Sequence, residues 1–268
     1  MCLFPGRLHS TPLASSNATT QPPRPEDGRL NGAASTTSDA DAGFASRTSK
    51  VLFAKAAPKE APPTSRTPAP GADVSLPRVL LIGDSICYGY EKHVRKQLEG
   101  RVELVKNPGN AEYTGNGIKH LDEWLGDVRW DVIHFNWGLW DMYGWRYHNV
   151  ERSPASYEKR LETLVTRLKQ TGAKLIWATT TLACPGPEKT MLDRFQQSVR
   201  ITPEIQNEYA EAALRVMKRH SVAINDLHAL MLPHLKEYLI AEDNVHYTDA
   251  GSQRQADQVT KAILEALR

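Results

Sequence analysis

The chain contains the stretch Leu80-Leu81-Ile82-Gly83-Asp84-Ser85-Ile86, in which an uninterrupted apolar run ends at a small polar turn. Short continuous apolar runs are typical of strands that are covered on both faces of a parallel sheet. The run therefore predicts a buried strand that delivers Ser85 to its carboxyl end.

Four further apolar runs follow, and amphipathic stretches separate them. The predicted strands are Val79–Ile82, Val102–Val105, Asp131–Phe135, Leu175–Ala178 and Val222–Ile224. Apolar side chains recur at helical spacing from Tyr157 to Leu168, from Ile205 to Met217 and from Val259 to Leu267. Five buried strands that alternate with helices predict an α/β domain, in which a five-stranded parallel sheet carries helices on both faces.

One predicted helix has marked ends. Ser153 stands at the N-cap position, and Pro154 stands in the first turn, where its missing N–H costs nothing. Gly172 follows the last apolar position and suits the end of a helix. We therefore expect this helix to fill the connection between the third and fourth strands.

The first 75 residues differ in composition from the rest. They hold ten of the seventeen prolines, none of the six tryptophans and no sustained apolar period. Such a segment cannot bury enough apolar surface to offset its ordering entropy. We predict a disordered tail over residues 1–75, rich in Pro, Ala, Ser and Thr, and one domain over residues 76–268.

Charge and composition exclude several classes of partner. The net charge is only +2, and basic and acidic residues are interspersed, so no nucleic-acid partner is expected. No run reaches the length of a membrane span, and no obligate protein partner is predicted. The three cysteines and nine histidines lack metal-like spacing, so we expect no metal. We predict no clear signal peptide, and the location of the protein stays open, with export as one alternative.

Candidate functional residues follow the strands of the predicted sheet. Ser85 follows the first strand, Gly109 the second and Asn136 the third, while Asp243 and His246 lie between the fifth strand and the last helix. Sites in parallel sheets lie outside the carboxyl ends of the strands. These residues are therefore predicted to converge on one site.

Each of these residues fits a role in acyl transfer. Ser85 would attack a carbonyl carbon, and His246 would take the hydroxyl proton and return it to the leaving alcohol. Asp243 would accept a hydrogen bond from the other imidazole nitrogen, although Asp226 is an alternative partner. The backbone N–H groups of Ser85 and Gly109 would stabilise the oxyanion, together with a side-chain amide from the loop after the third strand.

The motifs resemble those of the SGNH hydrolase superfamily, the GDSL-type esterases and acylhydrolases, from about Val79 to Leu267. The matching segments are Gly83-Asp84-Ser85-Ile86, with Ile86 where Leu is usual, the glycine of Asn107-Pro108-Gly109-Asn110, and Asp243-Asn244-Val245-His246. The resemblance implies a flavodoxin-like three-layer α/β/α sandwich. It also implies an ester hydrolase that needs no cofactor.

The third motif departs from the family pattern. The family usually has Gly-x-Asn-Asp after the third strand, whereas this chain has Gly138-Leu139-Trp140-Asp141, with Trp140 at the asparagine position. Because tryptophan cannot supply a carboxamide, Asn136 is expected to replace it in the oxyanion hole.

Aromatic residues crowd the same loop and suggest a class of substrate. Trp137, Trp140 and Trp145 are predicted to stack on sugar rings, although packing against neighbouring helices is the alternative for each of them. The resulting hypothesis is an esterase that removes acetyl groups from carbohydrate hydroxyls through an acyl-serine intermediate. The alternatives are a lipid or thioester acylhydrolase, or a catalytically silent glycan-binding module.

Overall fold

A five-stranded sheet lies at the centre of the computed structural model, which describes residues 75–147, 149–181, 201–242 and 244–268. The strands are β1 (Arg78–Ile82), β2 (Glu103–Lys106), β3 (Val132–Phe135), β4 (Lys174–Ala178) and β5 (Ala223–Asn225). Their order across the sheet is β2-β1-β3-β4-β5, and every neighbouring pair is parallel. The predicted five-stranded parallel sheet is confirmed.

Helices cover both faces of this sheet. They are α1 (Ser85–Gln97), α2 (Thr114–Leu125), α3 (Leu139–Tyr143), α4 (Pro154–Gln170), α5 (Pro203–His220), α6 (Leu227–Met231), α7 (Leu235–Tyr238) and α8 (Asp249–Ala266). Helix α1 packs against α8, while α4 packs against both α2 and α5. The result is the three-layer α/β/α sandwich that the resemblance implied.

Strand β1 is buried because it has a strand on each side and helices above and below. Its residues Val79–Ile82 are fully buried. Leu81 is paired with Lys106 of β2 on one side and with His134 of β3 on the other. The apolar run therefore forms the middle of the sheet, and Ser85 lies at the middle of its carboxyl edge.

The predicted ends of α4 are confirmed by its caps. The Ser153 hydroxyl accepts a hydrogen bond from the Ser156 N–H at 3.4 Å, and Pro154 is the first helical residue. Gly172 follows the helix with a φ of 74°, a left-handed conformation that suits glycine. These signals are local in sequence, so they could be found without knowledge of the fold.

The expected tail over residues 1–75 lies almost wholly outside the described residues, so the tail and the domain boundary at residue 76 stay predictions. Within the ranges that the structure describes, no helix is both long and apolar enough to cross a membrane.

Candidate active site

The structure brings together two residues that lie 161 positions apart in the chain. The Nε2 atom of His246 is 2.9 Å from the Ser85 hydroxyl oxygen. The loop that carries His246 is fixed on both sides, since the Ile240 N–H donates to the His246 carbonyl at 3.0 Å and the Thr248 N–H donates to the Tyr238 carbonyl at 2.7 Å. Contact between a hydroxyl and an imidazole is the geometry that a nucleophile and its general base require.

A neighbouring side-chain amide determines the tautomer of His246. The Nδ1 atom of His246 lies 2.7 Å from the Asn244 side-chain oxygen, which also accepts the His246 backbone N–H at 2.9 Å. An amide oxygen only accepts, so the ring proton lies on Nδ1 and the Nε2 lone pair faces Ser85. The imidazole is therefore in the tautomer that can take a proton from Ser85. Sequence reasoning did not assign this role to Asn244.

The acidic partner predicted for His246 was Asp243, and this residue lies outside the described residues. The alternative partner, Asp226, has other contacts. Its carboxylate accepts hydrogen bonds from the Thr179 hydroxyl at 2.8 Å and from the Ala229 N–H at 3.0 Å. Asp226 is the N-cap of the short helix α6, and this role accounts for its position after β5.

Ser85 is the first residue of α1, directly after β1. The buried side chain of Asp84 caps this helix by accepting the Ile86 N–H at 2.9 Å. Burial raises the pKa of Asp84 to about 6, although the Ile86 N–H and the Lys106 ammonium act in the opposite direction. The Ser85 N–H belongs to the first turn of the helix, whose N–H groups have no intrahelical acceptor, so it is suited to donate to an anion beside the hydroxyl.

The loop after β2 is held against this turn by Asn107. The Asn107 side-chain oxygen accepts the Gly83 N–H at 3.0 Å, and its amide nitrogen donates to the Gly109 carbonyl at 3.1 Å. Lys106 reinforces the same loop, because its ammonium group donates to the carbonyls of Asn107 at 3.2 Å and Gly109 at 3.0 Å. Gly109 has a φ of 64°, and it is exposed. The loop therefore holds Gly109 beside the serine turn in a conformation that favours glycine.

The Lys106 ammonium also lies 3.6 Å from the ring centre of Tyr88. Tyr88 is 45 % exposed and follows Ser85 by three positions in α1, so the two residues share a face of the helix. Burial lowers the pKa of Lys106. An exposed aromatic ring backed by a cation thus lies on the same helix face as Ser85.

The structure places Asn136 near the site, but its side-chain amide donates to residues at the end of β4 and just after it. The Asn136 nitrogen donates to the Ala178 carbonyl at 2.8 Å and to the Thr180 hydroxyl at 3.1 Å. The Ala178 carbonyl can only accept, so the amide cannot be turned around without leaving this contact unfavourable. Both N–H groups are therefore occupied, and the expectation that Asn136 completes the oxyanion hole needs correction.

Trp140 and Asp141, the last residues of the third motif, are both buried. The indole N–H of Trp140 is closed to solvent and has no acceptor among the described residues. Asp141 accepts hydrogen bonds from the Thr114 N–H at 3.0 Å and the Thr114 hydroxyl at 2.6 Å, at the start of α2. Burial raises the pKa of Asp141 to about 6, while Thr114 and Arg160 lower it. This part of the motif therefore ties α3 to α2.

The aromatic side chains expected to stack on sugars are largely internal. Trp137 is 1 % exposed, and the Tyr157 hydroxyl of α4 donates to its carbonyl at 2.9 Å. Trp140 is 8 % exposed, and its ring centre lies 4.5 Å from that of half-buried Trp145, which stacks on Tyr143 at 5.0 Å. The short helix α3, which carries Trp140, is buried at all five of its positions. As placed, Trp137 and Trp140 are core residues, so their predicted role as sugar platforms is not supported.

Cys87, two residues after the serine, is a packing residue. Its side chain is buried, and burial raises its pKa to about 12, so it holds its proton at neutral pH. In the described ranges, no three acidic, histidine or cysteine side chains are grouped so that they could hold a metal ion.

A comparison with known families agrees with this geometry. The sequence model of the GDSL-like lipase/acylhydrolase family matches residues 81–254, well over half of the chain. The chain belongs to this family. As a GDSL-family protein, it is a hydrolase that acts on ester bonds, and the matched region includes Ser85, the loop after β2 and His246.

Solved structures with the same fold include several esterases. An acetyl xylan esterase, AlAXEase, is 18 % identical, with a TM-score of 0.55 over 69 % of this chain and 99 % of its own. An aryl esterase from M. smegmatis is 15 % identical, with a TM-score of 0.58 over 70 % and 99 %. A lipase/acylhydrolase from Enterococcus faecalis is 18 % identical, with a TM-score of 0.56 over 70 % and 95 %. At these identities the likeness shows the fold, and no curated protein matches the sequence significantly.

Proposed function

We propose that this GDSL-family hydrolase removes short acyl groups, above all acetyl, from carbohydrate hydroxyls. The observation that carries the proposal is the 2.9 Å contact between His246 Nε2 and the Ser85 hydroxyl, with the imidazole held in the basic tautomer by Asn244. The fold shared with an acetyl xylan esterase supports the choice of substrate.

The reaction proceeds in two halves. The Ser85 oxygen bonds to the ester carbon, the hydroxyl proton moves to His246 Nε2, and the carbonyl oxygen becomes an anion that the N–H groups of Ser85 and Gly109 stabilise. When the bond to the sugar oxygen breaks, His246 returns the proton to that oxygen. Water then attacks the acyl-serine with His246 again as base, which releases the acid. In this proposal Asp243 stabilises the imidazolium.

One feature beside the serine favours a sugar as the alcohol part of the ester. The exposed ring of Tyr88 lies on the Ser85 face of α1 and offers a flat apolar surface for a sugar. Tyr88 thus takes the platform role that the sequence suggested for the tryptophans.

The test is a screen of acetylated polysaccharides for released acetate, with the Ser85→Ala protein as control. We expect acetate release by the wild type and a loss of roughly 10³-fold or more in the variant, because the proposed acyl intermediate forms on the Ser85 oxygen. p-Nitrophenyl esters of increasing acyl chain length distinguish the proposed deacetylase from a lipid acylhydrolase. The activity of the deacetylase should fall beyond short acyl groups. Glycan binding without fluorophosphonate labelling of Ser85 would identify a silent binding module instead.

A further inference from the structure

The oxyanion hole of this protein lacks its usual side-chain donor. Trp140 occupies the family's asparagine position, and its indole N–H is closed to solvent, so a substrate oxygen cannot reach it in this conformation. The amide nitrogen of Asn136 donates its hydrogen bonds to the Ala178 carbonyl and the Thr180 hydroxyl. A donor to the oxyanion must therefore come from another residue near Ser85 or be missing.

The loop after β2 is clasped to the serine turn at two points. The Gly83 N–H donates to the Asn107 side chain at 3.0 Å, and the Gly83 carbonyl accepts the Ala111 N–H at 3.1 Å. Gly109 and Asn110 lie between these two attachment points. Because Gly83 is only two residues before Ser85, the clasp keeps the tip of the loop next to the nucleophile.

The side chain of Asn110 is oriented by its own loop. Its oxygen accepts the Glu112 N–H at 2.8 Å, so the amide nitrogen must point away from this contact. Asn110 is half-buried, and its amide nitrogen has no acceptor among the described residues. The loop thus holds a carboxamide with one end fixed and the donor end open.

Glu112 keeps this arrangement in place. It adopts a left-handed φ of 54°, which is uncommon for a residue with a side chain, and its buried carboxylate pairs with Arg146 at 3.1 Å and with the Tyr147 hydroxyl. Unusual backbone conformations persist where the surroundings fix them, and they concentrate at functional sites. The contacts of Glu112 therefore hold the N–H that orients Asn110.

We propose that the Asn110 amide is the side-chain donor of the oxyanion hole, in place of the third-motif asparagine. The inference rests on the proposed esterase function. During attack by Ser85, the carbonyl oxygen gains the electron pair of its double bond and accepts hydrogen bonds from the N–H groups of Ser85 and Gly109 and from Asn110 Nδ2. Asn110 forms no covalent bond and exchanges no proton, so it acts only while the oxyanion exists.

The test compares Asn110→Ser with Asn136→Ser, using p-nitrophenyl acetate. A serine at position 110 can still accept the Glu112 N–H but cannot reach the oxyanion. We expect Asn110→Ser to lower kcat about 100-fold with little change in KM, as the removal of one oxyanion donor does elsewhere, and Asn136→Ser to have a much smaller effect. Asn110→Asp, which keeps the acceptor oxygen and adds a negative charge, should lose at least as much activity.

Thermal unfolding of each variant separates catalysis from folding, and the rate of Ser85 labelling by a fluorophosphonate gives a second measure of the hole. If Asn110→Ser retains wild-type kcat, or if Asn136→Ser alone causes the loss, the assignment of Asn110 is overturned. In both cases the loss of activity in Ser85→Ala would leave the esterase proposal standing. A wild-type protein that neither hydrolyses the ester nor reacts with the probe would refute both.

Discussion

Replacing Asn107 by alanine should destabilise the protein, because this side chain ties β1 to the loop after β2. Asn107 is 2 % exposed, and its oxygen is the acceptor of the buried Gly83 N–H. Leaving that N–H without a partner costs about 1–3 kcal/mol, and the lost hydrogen bond to the Gly109 carbonyl costs about 1 kcal/mol more. The expected loss of unfolding free energy is therefore about 2–4 kcal/mol.

The matched control for this variant is Asn116→Ala. Asn116 lies just after the same loop, but its amide only donates, to the carbonyls of Asn110 at 3.4 Å and Ala111 at 3.2 Å. Its removal leaves no buried N–H without an acceptor and should cost only about 1 kcal/mol. Urea unfolding measures both values. Equal losses in the two variants, or an Asn107→Ala protein as stable as the wild type, would show that the Gly83 contact does not contribute as argued.

Two further changes test buried histidine chemistry and the general base. Burial lowers the pKa of His134 from 6.5 to about 4, so the unfolded chain binds this proton more readily between these values, and the contribution of His134 to wild-type stability should be lost as the pH drops from about 6.5 to 4, against the opposite contributions of Asp84 and Asp141, whose pKa values burial raises. A pKa shift of this size corresponds to about 3 kcal/mol of unfolding free energy. The His134→Gln variant does not titrate at this position, so urea unfolding at a series of pH values should show no such contribution. Parallel pH profiles of the two proteins would contradict the assignment to His134. Asn244→Ala removes the oxygen that accepts the His246 Nδ1 proton, so kcat for p-nitrophenyl acetate should fall about 10-fold or more at constant KM. Asn244→Asp keeps an acceptor oxygen and should retain most of the wild-type kcat. An unchanged kcat in the alanine variant would rule out this positioning role of Asn244.

The sequence alone determined the layers of the fold. Strand β1 could be predicted because a short run of consecutive apolar residues is typical of a strand covered on both faces, and α4 could be delimited because Ser153 and Pro154 act on their own helix end. Ser85 and His246 could be proposed together because the carboxyl ends of parallel strands lie at one edge of the sheet, and both residues follow strands. These inferences depend on local patterns or on topology, and both can be read from a chain.

Only the tertiary structure decided which polar and aromatic groups are free to act. Three asparagines follow strands and look equivalent in the sequence: Asn107, Asn110 and Asn136. Their side-chain amides nevertheless differ in hydrogen bonding, because the partners are set by the fold. Asn136 is occupied by Ala178, 42 positions later, and Asn107 by Gly83, 24 positions earlier, while Asn110 is bound only at its oxygen. Likewise, the burial of Trp137 depends on distant segments, since its ring lies against Gly117 of α2 and the Tyr157 hydroxyl of α4 donates to its carbonyl. Hydrogen-bond saturation and burial are set by contacts between distant segments, and no local pattern encodes them.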